Sequence, residues 1–172
     1  MARQLILIYG PPLAGKTTAA RRIAEDFDDK TAVVSVDHLL REAIAVGDDD
    51  VAAELEMVHV QLRLLVANYL KNHYNVVVEG PFVFERDGRI HSYEREIGEL
   101  AALMRNLVTT TLILRLKADE ATLSARGSAD AVRSATRVQD SYIESFTHRL
   151  TLDSGAMSPD EILAKVRQAL NA

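Results

Sequence analysis

The chain contains no cysteine in its 172 residues, so it can carry neither a disulfide framework nor a thiolate metal site. That fits a reducing, cytoplasmic setting. Long apolar runs are also missing. The first, "LILIY" at residues 5–9, is too short for the core of a signal peptide. No later run approaches the length of a membrane span. Basic residues are not in excess: the net charge is −5, which argues against non-specific binding to nucleic acid. The five histidines, His38, His59, His73, His91 and His148, show no metal-ligand spacing and read as surface or packing residues. Repeats, low-complexity tracts and linkers are lacking too. A chain of this length, 48% hydrophobic, is expected to form one domain over residues 1–172 with its own core.

What is present alternates. "QLILIY" (4–9), "TAVVSV" (31–36), "NVVVEG" (75–80), "TTTLILRL" (109–116) and "HRLTLD" (148–153) read as strands, the first buried on both faces, the second a short β-branched run and the third a buried strand. Helical spacing follows the first run through Ala19, Ala20, Ile23, Ala24 and Phe27. Asp37 opens a helical stretch to about Val46. "GDDD" (47–50) then places carboxylates at the positive end of a long amphipathic helix. Its apolar stripe is Val51, Leu55, Val58, Leu62, Leu65 and Tyr69. Residues 81–92, with Pro81, Gly88 and several charges, read as a loop. Helices are expected at about 93–105, from Asp119 to about Arg126, and at about 131–146. "SPDE" (158–161) is a strong helix start: a serine cap, proline at the first position and an acidic first turn. Strands alternating with helices imply an α/β three-layer sandwich, with a five-stranded parallel sheet and helices on both faces.

Between the first strand and its helix lies "GPPLAGKT", which matches G-x-x-x-x-G-K-[ST] from Gly10 to Thr17. A strand before and a helix after are the context this phosphate-cradling loop requires. Gly10 and Gly15 let the backbone turn tightly and approach a ligand. Pro11 and Pro12 stiffen the loop but have no N–H to donate. The cradle therefore falls to Leu13, Ala14, Gly15, Lys16, Thr17 and Thr18, with the helix start pointing N–H groups at an anion. Lys16 adds a full charge near the β- and γ-phosphates, and Thr17 offers a hydroxyl to magnesium.

A second acidic group is needed, and two candidates exist. Glu79 ends the third strand, the usual place for a carboxylate that positions magnesium directly or through water. Asp37 follows the second strand, where ligands of open parallel sheets bind. It is placed to accept a proton from a substrate hydroxyl or to hold that hydroxyl in line with the γ-phosphate, and it can cap the following helix at the same time. Arginine is the usual counter-charge in phosphoryl transfer. Arg126, Arg133 and Arg137 lie around a Gly127-Ser128 break, the pattern of a short lid at about 126–137. Arg86, Arg89 and Arg41 form a candidate set for holding an anionic or polar acceptor.

Taken in order, "GPPLAGKTT", "VVSVDHLLRE", "VVVEGPF", "LRLKADEATLSARG" and "TLDSGAMSPDEI" resemble the P-loop kinases of the adenylate-kinase-like group. That group includes shikimate and gluconate kinases, chloramphenicol phosphotransferase and zeta-toxin-like proteins. The last two resemble this chain in an aspartate placed as Asp37 is. The resemblance implies a kinase that moves the γ-phosphate of Mg-ATP to a hydroxyl of a small-molecule acceptor. Lys16 and Thr17 would bind ATP and magnesium. Asp37 would be base or substrate anchor, and Arg126 and Arg133 would belong to the lid. Residues 153–158 would pack near adenine. The departures are Glu79 where relatives place Asp and the lack of a matching substrate-site signature. Three other readings are a nucleoside monophosphate kinase, a GTPase-like switch and a catalytically idle ATP-binding module. "DHLLRE" and "EGPF" favour the first, although Val83 stands where that site's arginine belongs. "KAD" (117–119) suggests the second, but Leu116 occupies the asparagine position of the guanine-reading motif.

Overall fold

The computed structural model describes residues 3–27, 30–40, 51–86, 88–142 and 149–171. Five strands form one parallel sheet: β1 (Gln4–Tyr9), β2 (Thr31–Ser35), β3 (Asn75–Gly80), β6 (Thr110–Lys117) and β7 (Leu150–Asp153), in the order β2-β3-β1-β6-β7. Between β3 and β6 a separate antiparallel hairpin is inserted, β4 (Val83–Arg86) and β5 (Arg89–Ser92). The helices are α1 (Lys16–Asp26), a single turn α2 (Val36–His38), α3 (Val51–Lys71), α4 (Glu94–Met104), α5 (Glu120–Arg126), α6 (Ala129–Asp140) and α7 (Pro159–Leu170).

Strand periodicity divides the core in two. On one face Leu5, Leu7, Tyr9, Val76 and Val78 pack with Val58, Leu62, Val66 and Leu70 of α3 and Ile97, Leu100 and Met104 of α4. On the other, Ile6, Ile8, Val77, Leu112, Leu114 and Leu116 pack with Ala19, Ala20 and Ile23 of α1 and Ile162, Leu163 and Val166 of α7. Each large side chain so buried contributes about 1.5–3 kcal/mol. No helix among the described residues is long and apolar enough to cross a membrane.

Three expectations need correction. Residues 81–92 are not simply a loop: Val83–Arg86 pairs with Arg89–Ser92 across Gly88, whose φ is 71°. A glycine at such an angle makes the tight hairpin turn possible. The stripe of α3 runs Leu55, Val58, Leu62, Val66, Leu70, while Leu65 and Tyr69 are only partly buried. Steps of four carry the second half of the helix round to the sheet. The helix expected at 131–146 begins at Ala129, capped by Ser128, and ends at Asp140. The helix expected after Asp37 is described only to Leu40, and Arg41, the "GDDD" run and His148 lie outside the described residues.

The last helix has the expected start. Ser158 Oγ accepts from the Glu161 N–H, Glu161 reaches back to the Ser158 N–H, and Pro159 occupies the first turn. Asp119 caps α5 by accepting from the Thr122 N–H at 2.8 Å.

Candidate functional site

The loop of residues 10–15 leaves the carboxyl end of β1 at the middle of the sheet. Gly10 is there because nothing larger fits: a Cβ on it would lie 2.3 Å from the Leu116 carbonyl oxygen of β6. Gly15 starts α1 in a left-handed conformation, φ 79°. Leu13 is also left-handed, φ 66°, a strained angle for a branched side chain. The Ala14 N–H turns inward to the Pro11 carbonyl at 3.3 Å.

Among the described helices, α1 alone has neither a side-chain cap nor an acidic residue in its first turn. Its first N–H groups and the positive end of its dipole are left for something else to satisfy. Lys16 stands at that end and donates from Nζ to the Pro11 carbonyl at 2.8 Å. The residue is half-buried, with its ammonium enclosed. Burial pushes its pKa down to about 8, against the pull of Glu79 and Asp37, whose carboxylates favour the charged form.

Parity places Glu79. It lies two residues beyond Val77, so it faces the α1 side of the sheet, and it is only 2% exposed. Asp37 comes from the turn after β2, which is capped by Ser35 Oγ accepting from the His38 N–H at 3.4 Å. Gly80 allows that turn to cross the end of β3, since a Cβ there would lie 2.4 Å from Val36 Cβ.

Two clefts meet at Lys16 and Thr17. The larger, about 1210 Å³, is lined by Leu13, Lys16, Thr17, Asp37, Glu79 and Arg86, together with Phe84, Glu85 and Ser134. The smaller, about 410 Å³, runs over Leu13, Gly15, Lys16, Thr17 and Thr18 to Arg126 and to Ser154 and Met157. Arg126 donates to the Leu13 carbonyl at 3.1 Å, to Ser154 Oγ at 3.0 Å and to the Ser154 carbonyl at 2.8 Å. It thus ties the loop to the turn before α7. Gly10 lines neither cleft and shapes the backbone. Arg133 also lines neither: it is exposed and paired with Asp130, one turn along α6.

Sequence reasoning missed the ion pair of Arg86 with Glu54 of α3 at 3.4 Å and that of Arg137 with Glu85. It also missed Ser134 as a lining residue. No local signal marks them, because each pairing or placement is set by tertiary packing.

The donor set suits magnesium. The Thr17 hydroxyl and the carboxylates of Glu79 and Asp37 are hard oxygens lining one cleft. Among the described residues no three His, Asp or Glu side chains gather to cage a metal by themselves.

A family model described as an AAA domain matches residues 5–152. The chain belongs to the AAA-domain family. No curated protein matches its sequence. Solved structures similar to this AAA-domain chain include the Mycobacterium tuberculosis APS kinase in complex with AMPPNP and APS. It is 12% identical, with 99% of each chain covered and a TM-score of 0.71. A sugar kinase from Janibacter is 14% identical, covering 99% of this chain and 95% of its own, with a TM-score of 0.62. Shikimate kinase from Acinetobacter baumannii in complex with shikimate is 11% identical, covering 96% and 92%, also at 0.62. At these identities the likeness shows the fold, that of the small P-loop kinases.

Proposed function

We propose that this protein is an ATP-dependent phosphotransferase that moves the γ-phosphate of Mg-ATP to a hydroxyl of a small molecule. The observation that carries the reading is the meeting of two clefts at Lys16 and Thr17. A nucleotide in the smaller cleft would extend its phosphates over the uncapped start of α1. An acceptor in the larger cleft would approach the same point from the Asp37 and Glu79 side. A P-loop kinase fold and structural neighbours that hold AMPPNP, APS or shikimate support the same reading.

In this mechanism the loop N–H groups and the Lys16 ammonium bind the triphosphate. They are fixed before the reaction and need no reorganisation as charge develops. Arg126, anchored on Ser154, borders the nucleotide side. Thr17 and Glu79 would hold magnesium, which supplies charge neutralisation on the phosphate oxygens. Asp37 orients the acceptor hydroxyl and takes its proton. The hydroxyl oxygen bonds to the γ-phosphorus, the bond to the β–γ bridging oxygen breaks, and ADP leaves. The lid role stays with the α5–α6 segment, residues 126–137.

The test is an ATP-consumption screen against sugars, nucleosides, nucleoside monophosphates, antibiotics and shikimate-like acids. At least one class is expected to stimulate turnover. Asp37→Asn is expected to retain Mg-ATP affinity within about twofold while turnover falls about 10²–10⁴-fold. Full turnover in that variant removes Asp37 from the mechanism. ATP binding with no transfer to any acceptor would leave only a nucleotide-binding module.

A further inference from the structure

Leu13 does more than shape the loop. Its side chain packs with the small cluster of Ala118, Leu123, Val132 and Ala135, which joins α5 to α6. It also faces Gly127, where a Cβ would lie 2.4 Å from Leu13 Cδ1. Helix α6 is held at its far end to Ala118, the residue that follows β6. Gln139 donates from Nε2 to the Ala118 carbonyl and accepts at Oε1 from the Ala118 N–H, both at 3.1 Å. From α6, Arg137 reaches the hairpin. It forms an ion pair with the mostly buried Glu85 and donates from Nη2 to the Gly88 carbonyl at 3.3 Å. The next hairpin residue, Arg86, pairs with Glu54 of α3. Adjacent strand residues face opposite sides, so β4 is tied to α6 on one side and to α3 on the other. Phe84, Glu85 and Arg86 all line the larger cleft, and none of them lines the smaller one.

We propose that Arg137 is a positioning residue that carries nucleotide occupancy to the acceptor wall, from Leu13 through α6 to Glu85 and the β4–β5 hairpin. The inference rests on the nucleotide-binding reading above. A loop held in one conformation by phosphate fixes Leu13, and Leu13 fixes the cluster from which α6 presents Arg137. A ligand that rigidifies one end of such a contiguous set lowers the entropic cost of ordering the other. The acceptor cleft is then completed after the nucleotide is in place.

The test is amide hydrogen exchange on the full chain with and without Mg·AMPPNP. In the wild type, exchange is expected to slow both in residues 10–18 and in β4 and β5, the latter by about fivefold, the low end of ordinary site–site coupling. In Arg137→Ala, the slowing at 10–18 is expected to persist while that of the hairpin is lost. Glu85→Gln should behave likewise, and the exchanged pair Glu85→Arg with Arg137→Glu should restore it. A wild-type hairpin indifferent to Mg·AMPPNP while residues 10–18 respond overturns the relay and leaves the nucleotide site standing. So does full hairpin protection retained in both single variants. No response at residues 10–18 overturns the nucleotide reading itself, and the relay with it.

Discussion

Lys16 carries opposing demands. In the proposed function it holds a charge for phosphate, yet it lies where burial disfavours that charge, and its pKa is brought down to about 8. A triphosphate beside it favours the protonated form, so binding takes up a proton wherever the free lysine has begun to lose its own. The sign follows from linkage: affinity is flat below the free pKa and falls as pH rises through it. Above pH 8, Mg-ATP affinity should drop about tenfold per pH unit, until the raised pKa of the complex is reached. Titration calorimetry at pH 8.5 in buffers of different ionisation enthalpy should show net proton uptake. Proton release, or affinity constant from pH 7 to 9.5, would mean that this ammonium does not meet the phosphate. Lys16 and Thr17 were legible in the sequence because their chemistry lies within eight consecutive residues. The pairing of Arg86 with Glu54 and of Arg137 with Glu85 was not, because it joins residues 32 and 52 positions apart.

At the scale of elements, Gly80 decides where Asp37 stands. The turn of α2 crosses the end of β3 at a distance that leaves no room for a methyl group: Val36 Cβ, Cγ2 and Cα would lie 2.4, 2.9 and 3.3 Å from an added Cβ. Two of these atoms are at or next to the backbone, so the strain cannot be relieved by one rotamer. Gly80→Ala is expected to destabilise by about 1–3 kcal/mol, the usual cost of overpacking. It should also push α2 and Asp37 away from Glu79. The phosphate loop is built on β1 and is not displaced. Turnover should therefore fall by more than Mg-ATP affinity, which steady-state kinetics and calorimetry together would resolve. Equal losses in both would mean that the strain spreads to the loop. Helix starts such as Ser158 and strands such as "NVVVEG" were readable from local chemistry and continuous apolar runs. The hairpin was not, although Asp87-Gly88 between Arg86 and Arg89 is a two-residue turn signal. The charges in that segment obscured its alternation, and its partner surfaces, α3 and α6, are distant in sequence. Likewise the register of α3 could be seen only against the sheet it covers.

For the whole molecule, alternation of strands and helices implied a parallel three-layer sheet, but strand order is a global property. The placement of β3 between β2 and β1 is what brings Asp37, Glu79 and Lys16 to one edge of the crevice. In the proposed function that convergence makes ATP binding a property of the entire sheet, since the loop, both carboxylates and Arg126 are held by different strands and helices. Unfolding must then release the ligand, and a ligand that binds only the folded chain raises its stability. Mg-ATP at a hundred times its dissociation constant contributes about 2.7 kcal/mol. For a domain of this size that corresponds to a rise of about 5–10 °C in melting temperature. Lys16→Ala should abolish the rise. Its ligand-free melting temperature should change little, because losing the hydrogen bond to the Pro11 carbonyl is offset by removing an enclosed charge. The difference between scans with and without Mg-ATP therefore isolates binding from folding. A shift that survives in Lys16→Ala would show that the triphosphate is held elsewhere on the molecule.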